Sequence, residues 1–218
     1  MGDNELREYY NRRAPEYEQI YYRDNPERQA QLAKARAHLQ RICKGARVLD
    51  VPCGTGYWLG YMAQTAESIV AADASLEMLR EARSKKLDCP VSWMQANLNN
   101  LPFERESFDV ICLGFWYSHH PKQSYDDLYD ELIPLLKPGG RIWMIDNNPT
   151  AEGFTHDPVG HDEAGNRLIR RKLSTGEEYI ILKNYFSEKQ LRELLEPRFN
   201  LIEYVYESCY WWVEMTPR

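Results

Sequence analysis

Asp50-Val51-Pro52-Cys53-Gly54-Thr55-Gly56 is the stretch whose reading decides the fold. It follows a short apolar run, Arg47-Val48-Leu49-Asp50-Val51, that suits a buried strand. It opens residues 57–64, whose pattern suits a helix. A glycine turn leading from strand to helix lies at the carboxyl edge of a doubly wound sheet, where such folds bind ligands. Gly54 and Gly56 let the backbone approach a ligand that any side chain would block. A second apolar run, Ser68-Ile69-Val70-Ala71-Ala72-Asp73, ends in an acid 19 residues after Gly54. An acid at that place accepts hydrogen bonds from ribose hydroxyls.

The rest of the chain fits the same frame. Residues 91–95, 108–113 and 141–146 read as further strands. Residues 75–84, with Ser75 as N-cap, and residues 125–136 read as the helices between them. Strands alternating with helices predict a parallel sheet covered on both faces. Residues 147–166 are polar, carry Pro149, Gly153, Pro158, Gly160 and Gly165, and read as a long loop. Residues 167–173 and 177–184 flank Ser174-Thr175-Gly176 as a hairpin. Residues 187–195 form a helix with a capping box from Ser187 to Gln190. Residues 200–207 and 210–215 are two last strands, antiparallel neighbours. At the other end, residues 3–42 have helix-like spacing broken by Pro15 and Pro26, with residues 26–42 as one amphipathic helix.

Composition narrows the function. The 218 residues hold 27 Lys and Arg against 33 Asp and Glu, a net charge of −6, which disfavours nonspecific binding to nucleic acid or anionic membrane. The five cysteines are odd in number and scattered, with no CxxC pair. Free thiols in a reducing cytoplasm are the simplest reading. No secretory signal and no membrane-length apolar run is visible.

Two cofactor classes compete for the turn. A dinucleotide needs a free helix N-terminus for its pyrophosphate, but Tyr57 and Trp58 directly after the turn would crowd it. Asp50, just before the turn, repels phosphate and suits an amino group. That favours S-adenosylmethionine, which carries an α-amino group and a sulfonium but no phosphate.

At this point the chain resembles the class I S-adenosylmethionine-dependent methyltransferases, most closely the small-molecule enzymes related to the ubiquinone and menaquinone methyltransferases. Residues 48–56 are similar to the family's first motif, and Asp73 to its ribose-binding acid. Asn97-Leu98-Asn99-Asn100-Leu101-Pro102-Phe103 resembles its "D-x-x-x-L-P-F" stretch, with Asn97 for the usual acid. Leu136-Lys137-Pro138-Gly139-Gly140 matches the turn before strand five. Pro52 stands where the family often has glycine. The resemblance implies a Rossmann-like, seven-stranded α/β sheet with the last strand antiparallel, an N-terminal helical lid (residues 1–44), and a methyltransferase domain (residues 45–218) with an acceptor-side insertion at 147–186.

It further implies cofactor contacts from Tyr17, Asp50, Pro52, Cys53, Gly54, Gly56, Asp73, Ala74, Asn97, Leu98, Leu113 and Gly114. Asp50 and the glycines would cradle the methionine end, joined by Tyr10 or Tyr17 from the lid. Asn97 and Leu98 would meet the adenine. His119 and His120, in the segment after strand four, are candidates for a general base; the alternative is a structural pair. Asp146-Asn147 resembles part of the divalent-metal site of catechol-type enzymes. Leu113-Gly114-Phe115 offers no oxygen side-chain ligand at the end of strand four, so no metal is expected. His156-Asp157 and His161-Asp162 read as a solvated loop. Trp116, Tyr117, Tyr210, Trp211 and Trp212 are divided between an acceptor pocket and the core.

The function expected is methyl transfer from S-adenosylmethionine to a small molecule in the cytoplasm, with a homodimer through the hairpin edge as a further expectation. The alternatives are an NAD(P)-dependent oxidoreductase, disfavoured by the aromatic pair after the turn and by the lack of a Tyr-x-x-x-Lys pair on a helix, and a non-catalytic S-adenosylmethionine-binding protein.

Overall fold

The computed structural model describes residues 3–148 and 157–218. Ten strands follow one another along the chain: β1 (Arg47–Asp50), β2 (Ser68–Asp73), β3 (Val91–Gln95), β4 (Phe108–Gly114), β5 (Leu136–Asn147), β6 (Asp157–His161), β7 (Arg167–Lys172), β8 (Glu178–Leu182), β9 (Phe199–Tyr206) and β10 (Tyr210–Pro217). The helices are α1 (Asp3–Arg13), α2 (Pro26–Ile42), α3 (Leu59–Met62), α4 (Leu76–Arg83), α5 (Tyr125–Leu132) and α6 (Glu188–Leu195).

Seven strands form one sheet in the order β3-β2-β1-β4-β5-β10-β9. Strands β1 to β5 pair in parallel, and β10 runs antiparallel to both β5 and β9. The order reverses between β1 and β4, so a crevice opens outside their carboxyl ends. Successive strand residues feed opposite faces. Val48, Ile69, Val110, Trp143 and Trp212 join the core beneath α2, α3 and α4. Leu49, Val70, Ile111, Met144 and Val213 join the core beneath α5 and α6. Burial on both faces explains why these strands read as continuous apolar runs rather than alternating ones.

Local signals account for the helix ends. Asn25 caps α2 by accepting from the Arg28 N–H at 3.0 Å, with Pro26 in its first turn. Ser75 caps α4 by accepting from the Met78 N–H at 3.1 Å. Both halves of the Ser187–Gln190 capping box are present at α6. The helix expected over 57–64 contracts to Leu59–Met62, because the glycine turn extends past Gly56. The one expected over 125–136 ends at Leu132 and continues as a 3-10 turn, Ile133–Leu135, that contains Pro134.

The long-loop reading of 147–166 is corrected over its second half. Asp157–His161 is a strand that pairs antiparallel with β7, giving a three-stranded sheet β6-β7-β8 where a two-stranded hairpin was expected. Pro158 and Gly160 masked it, yet β6 is an edge strand, where proline is tolerated. Pro149, Gly153 and His156 lie outside the described residues.

Ahead of the large sheet, α1 passes into a 3-10 helix, Ala14–Tyr22, before α2. Tyr9 of α1 is buried with Ile169, Leu173 and Ile181 in a third, smaller core. The N-terminal helix thus packs on the three-stranded sheet, and these two elements close the side of the crevice at the sheet's carboxyl edge.

Candidate functional site

A cavity of about 890 Å³ lies in that crevice. Its floor is the glycine turn. Gly54 and Gly56 both have positive φ, 55° and 80°, and the Val51–Pro52 peptide is cis. The Gly54 N–H donates to Asp73 Oδ2 at 2.8 Å, and the Ser75 N–H donates to Asp73 Oδ1 at 2.8 Å. One carboxylate therefore ties the turn after β1 to the end of β2. Asp73 is buried, and burial pushes its pKa up to about 6 against the pull of the Ser75, Gly54 and Ala74 amides.

Asp50 sits behind this floor. Both its oxygens are buried with no nitrogen or oxygen donor among the described residues, the Cys112 thiol being their one polar neighbour. Burial pushes its pKa up to about 8, with the Cys112 thiol opposing the rise and Asp73 adding to it. A buried carboxyl so sparsely paired is costly. A cationic group reaching it would relieve that cost.

Gly114 ends β4 beside the cavity. A Cβ there would lie 2.5 Å from Trp58, so only glycine lets the indole cover the strand end. Trp58 and Tyr57 both line the cavity, and Tyr57 stacks on Tyr21 with ring centroids 3.8 Å apart. These aromatics flank the start of α3. Phe115 follows with φ 58°, a strained value for a residue with a side chain. Its N–H donates to Ile145 O at 2.8 Å, and its ring packs between Trp58 and Tyr21.

Of the residues expected at the cofactor, Tyr17, Pro52, Cys53, Gly54, Asp73, Ala74, Asn97, Leu98 and Gly114 line the cavity. Asp50, Gly56 and Leu113 lie behind its wall and shape it from there. Asn97 is exposed, and its side-chain oxygen accepts from the Asn99 N–H at 3.1 Å.

His119 and His120 also line the cavity, but their rings are engaged. The His119 Nδ1–H donates to Leu182 O at 2.7 Å, and its Nε2 accepts from the Tyr10 hydroxyl at 3.0 Å. Burial holds the His119 pKa well below its usual value, Lys183 lowers it further, and Asp146 only partly opposes them. His120 Nε2 donates to Ser124 O at 2.8 Å. His119 is thus a neutral, weakly basic ring with both nitrogens bonded.

Asp146 is engaged by protein donors. Its buried carboxylate accepts from Lys183 Nζ at 2.9 Å, the Ser118 N–H at 2.9 Å and the Asn147 N–H at 2.7 Å. Asp162 accepts from the Ala164 and Asn166 N–H groups and closes a turn after β6. His38, Glu203 and Glu214 form the one close group of metal-ligand side chains among the described residues. Arg41 pairs with Glu203 and Arg141 with Glu214, which makes the group an ion-pair network apart from the cavity.

Two contacts were beyond sequence reading. The Ser75 hydroxyl donates to Asn11 Oδ1 at 2.6 Å, and the Thr55 hydroxyl donates to Glu18 Oε1 at 2.9 Å. They tie the N-terminal helices to the turn. Neither Asn11 nor Glu18 carries a motif that would have marked it.

Residues 48–140 match a family described as a methyltransferase domain. A demethylmenaquinone methyltransferase of Oceanobacillus iheyensis is 32% identical over 117 residues, covering 50% of this chain and 48% of that protein. One from Clavibacter sepedonicus is 29% identical over 155 residues, covering 70% of this chain and 59% of that protein. The chain thus spans about half the length of the curated relatives it matches. Among solved structures, a DhpI–SAH complex superposes with a TM-score of 0.79 at 24% identity, covering 98% of this chain and 96% of that one. That likeness establishes the fold. Among the described residues, no helix is long and apolar enough to cross a membrane.

Proposed function

We propose, on the premise that the chain carries a class I S-adenosylmethionine-dependent methyltransferase domain, that it transfers the methyl group of S-adenosylmethionine to a small molecule. The observation that carries this reading is the Asp73 carboxylate, clamped to the Gly54 and Ser75 amides at the edge of an 890 Å³ cavity. Asp73 retains lone pairs for the ribose hydroxyls. Asp50, buried beneath the turn, would give up its proton and take on charge as the ligand's α-ammonium approached. Asn97 and Leu98 border the adenine end, and Pro52, Cys53, Gly54, Ala74, Gly114 and Tyr17 complete the wall.

S-adenosylmethionine supplies an electrophilic methyl group, whose bond to sulfur breaks as the acceptor's lone pair bonds to carbon. The protein's part is positioning and the exclusion of water. Tyr10, Tyr21, Trp58, Phe115 and His119 also line the cavity, and we assign them to the acceptor's side of it. The neutral His119 ring and the Tyr10 hydroxyl orient an acceptor there. They make a poor base, so the acceptor's nucleophile is one that needs little help to lose a proton. The reading includes a cytoplasmic location, supported by five cysteines that are all free thiols.

Calorimetric titration with S-adenosylhomocysteine, run beside NADH, tests the proposal. Micromolar binding of the first, lost in Asp73→Ala, is expected. Binding of NADH alone, or of neither ligand by a folded chain, would refute it.

A further inference from the structure

Beside the main cavity lies a smaller recess of about 50 Å³. The two share Tyr10, Tyr17, Tyr21, Phe115 and His119, so the recess adjoins the aromatic end where the methyl group would be offered. Its lining also contains Arg13, Arg23, Arg28, Arg171 and Lys183, and no carboxylate. A chain of net charge −6 has gathered five cations around a space that holds only a few water-sized groups.

They come from distant places: Arg13 from the end of α1, Arg23 and Arg28 from either side of the start of α2, Arg171 from β7, and Lys183 from just after β8. Lys183 is matched by Asp146 at 2.9 Å. The Arg13 guanidinium rests over the rings of Tyr17 and Tyr9 at 5.1 and 5.5 Å, and that of Arg28 over Tyr210 at 5.1 Å. Arg171 Nε is buried with no hydrogen-bond partner among the described residues. Arg171 is held below its usual pKa chiefly by burial, with Arg13 adding to the effect, and burial and then Arg28 and Arg13 do the same to Arg23. Guanidinium groups converging on a small space match a planar or tetrahedral oxyanion, which each can grip with parallel N–H donors.

We propose that the methyl acceptor is a small organic oxyanion, a carboxylate, phosphonate or phosphate, whose charged group sits among Arg13, Arg23, Arg28, Arg171 and Lys183. The inference rests on the methyltransferase reading and adds the substrate class to it. An anionic oxygen carries no proton that must be removed, in keeping with a site whose one convergent histidine is neutral and doubly bonded.

The test uses the full chain saturated with S-adenosylhomocysteine. Methylphosphonate, acetate and the uncharged dimethyl sulfone are titrated in separate calorimetric runs. Binding of methylphosphonate or acetate, with none of the sulfone, is expected; which anion binds tells a tetrahedral group from a carboxylate. Arg171→Gln and the exposed Arg23→Gln should each weaken that binding at least tenfold and leave S-adenosylhomocysteine affinity within twofold, which also certifies the fold of each variant. Retained cofactor binding with no anion bound, equal binding of the sulfone, or anion binding that survives both substitutions would overturn the inference alone. Failure of the wild-type chain to bind S-adenosylhomocysteine would overturn the methyltransferase reading and this inference with it.

Discussion

The two ends of the cavity are built on different plans. The end we assign to the cofactor is made of neighbours in sequence: a glycine turn, the acid that closes β2, and backbone amides that the acid clamps at 2.8 Å. The end we assign to the acceptor is made of side chains from α1, α2, β7 and the segment after β8, residues as far apart as Arg13 and Lys183. A ligand shared by many proteins can be held by backbone and a few fixed residues. A ligand particular to one protein is held by side chains that insertions and terminal helices bring in.

If that contrast is right, damage at the cofactor end should be severe and specific. Asp73→Ala removes both the ribose acceptor and the clamp on Gly54 and Ser75. We expect a loss of at least a hundredfold in S-adenosylhomocysteine affinity by calorimetry, while Arg23→Gln leaves that affinity unchanged. Gly56→Val acts next. Its φ of 80° is hostile to a branched side chain, and a Cβ would meet Leu59 at 3.0 Å and Ala82 at 3.1 Å. A destabilisation of about 2–4 kcal/mol is expected by urea unfolding, and a change below 1 kcal/mol would show that the turn yields easily.

The buried acids give a smaller and pH-dependent effect. Asp50 is raised when folded to about 8 from an ordinary 3.8. The folded state therefore holds its proton more tightly than the unfolded chain. That stability is fully present below pH 4 and is lost as pH rises toward 8. Between pH 7 and 8, above the histidine range, stability should fall by at most about 1 kcal/mol. Asp50→Asn should flatten that slope, and an unchanged slope in the variant would remove Asp50 from the explanation. The mildest change is Asn97→Ala, at an exposed position. A drop of about two- to fivefold in S-adenosylhomocysteine affinity is expected; a hundredfold drop would mean that the adenine end, and not Asp73, anchors the ligand.

The same contrast explains what could be read in advance. Asp50 to Gly56 and Asp73 were legible because their chemistry lies in short runs at strand ends. The strands themselves were legible because both sheet faces are buried, so Val48 and Leu49 are apolar alike. Asp157–His161 was not, since its pairing with β7 is decided by tertiary contact and its proline and glycine mimic a loop. Phe115 gave no sign of its positive φ, which goes with a ring packed against Trp58 and Tyr21. The His119–His120 pair was visible, but the hydrogen bonds that occupy both rings come from Tyr10, Leu182 and Ser124. The cationic recess was invisible, because its arginines and lysine come from separate stretches of the chain.

The most direct test of the account is a crystal structure of the chain with S-adenosylhomocysteine bound. The account predicts ribose hydroxyls on the Asp73 carboxylate, adenine beside Asn97 and Leu98, and the sulfur facing Tyr10, Phe115 and His119 next to the arginine-lined recess. A ligand bound with its ribose away from Asp73, or with its sulfur turned from the recess, would contradict it.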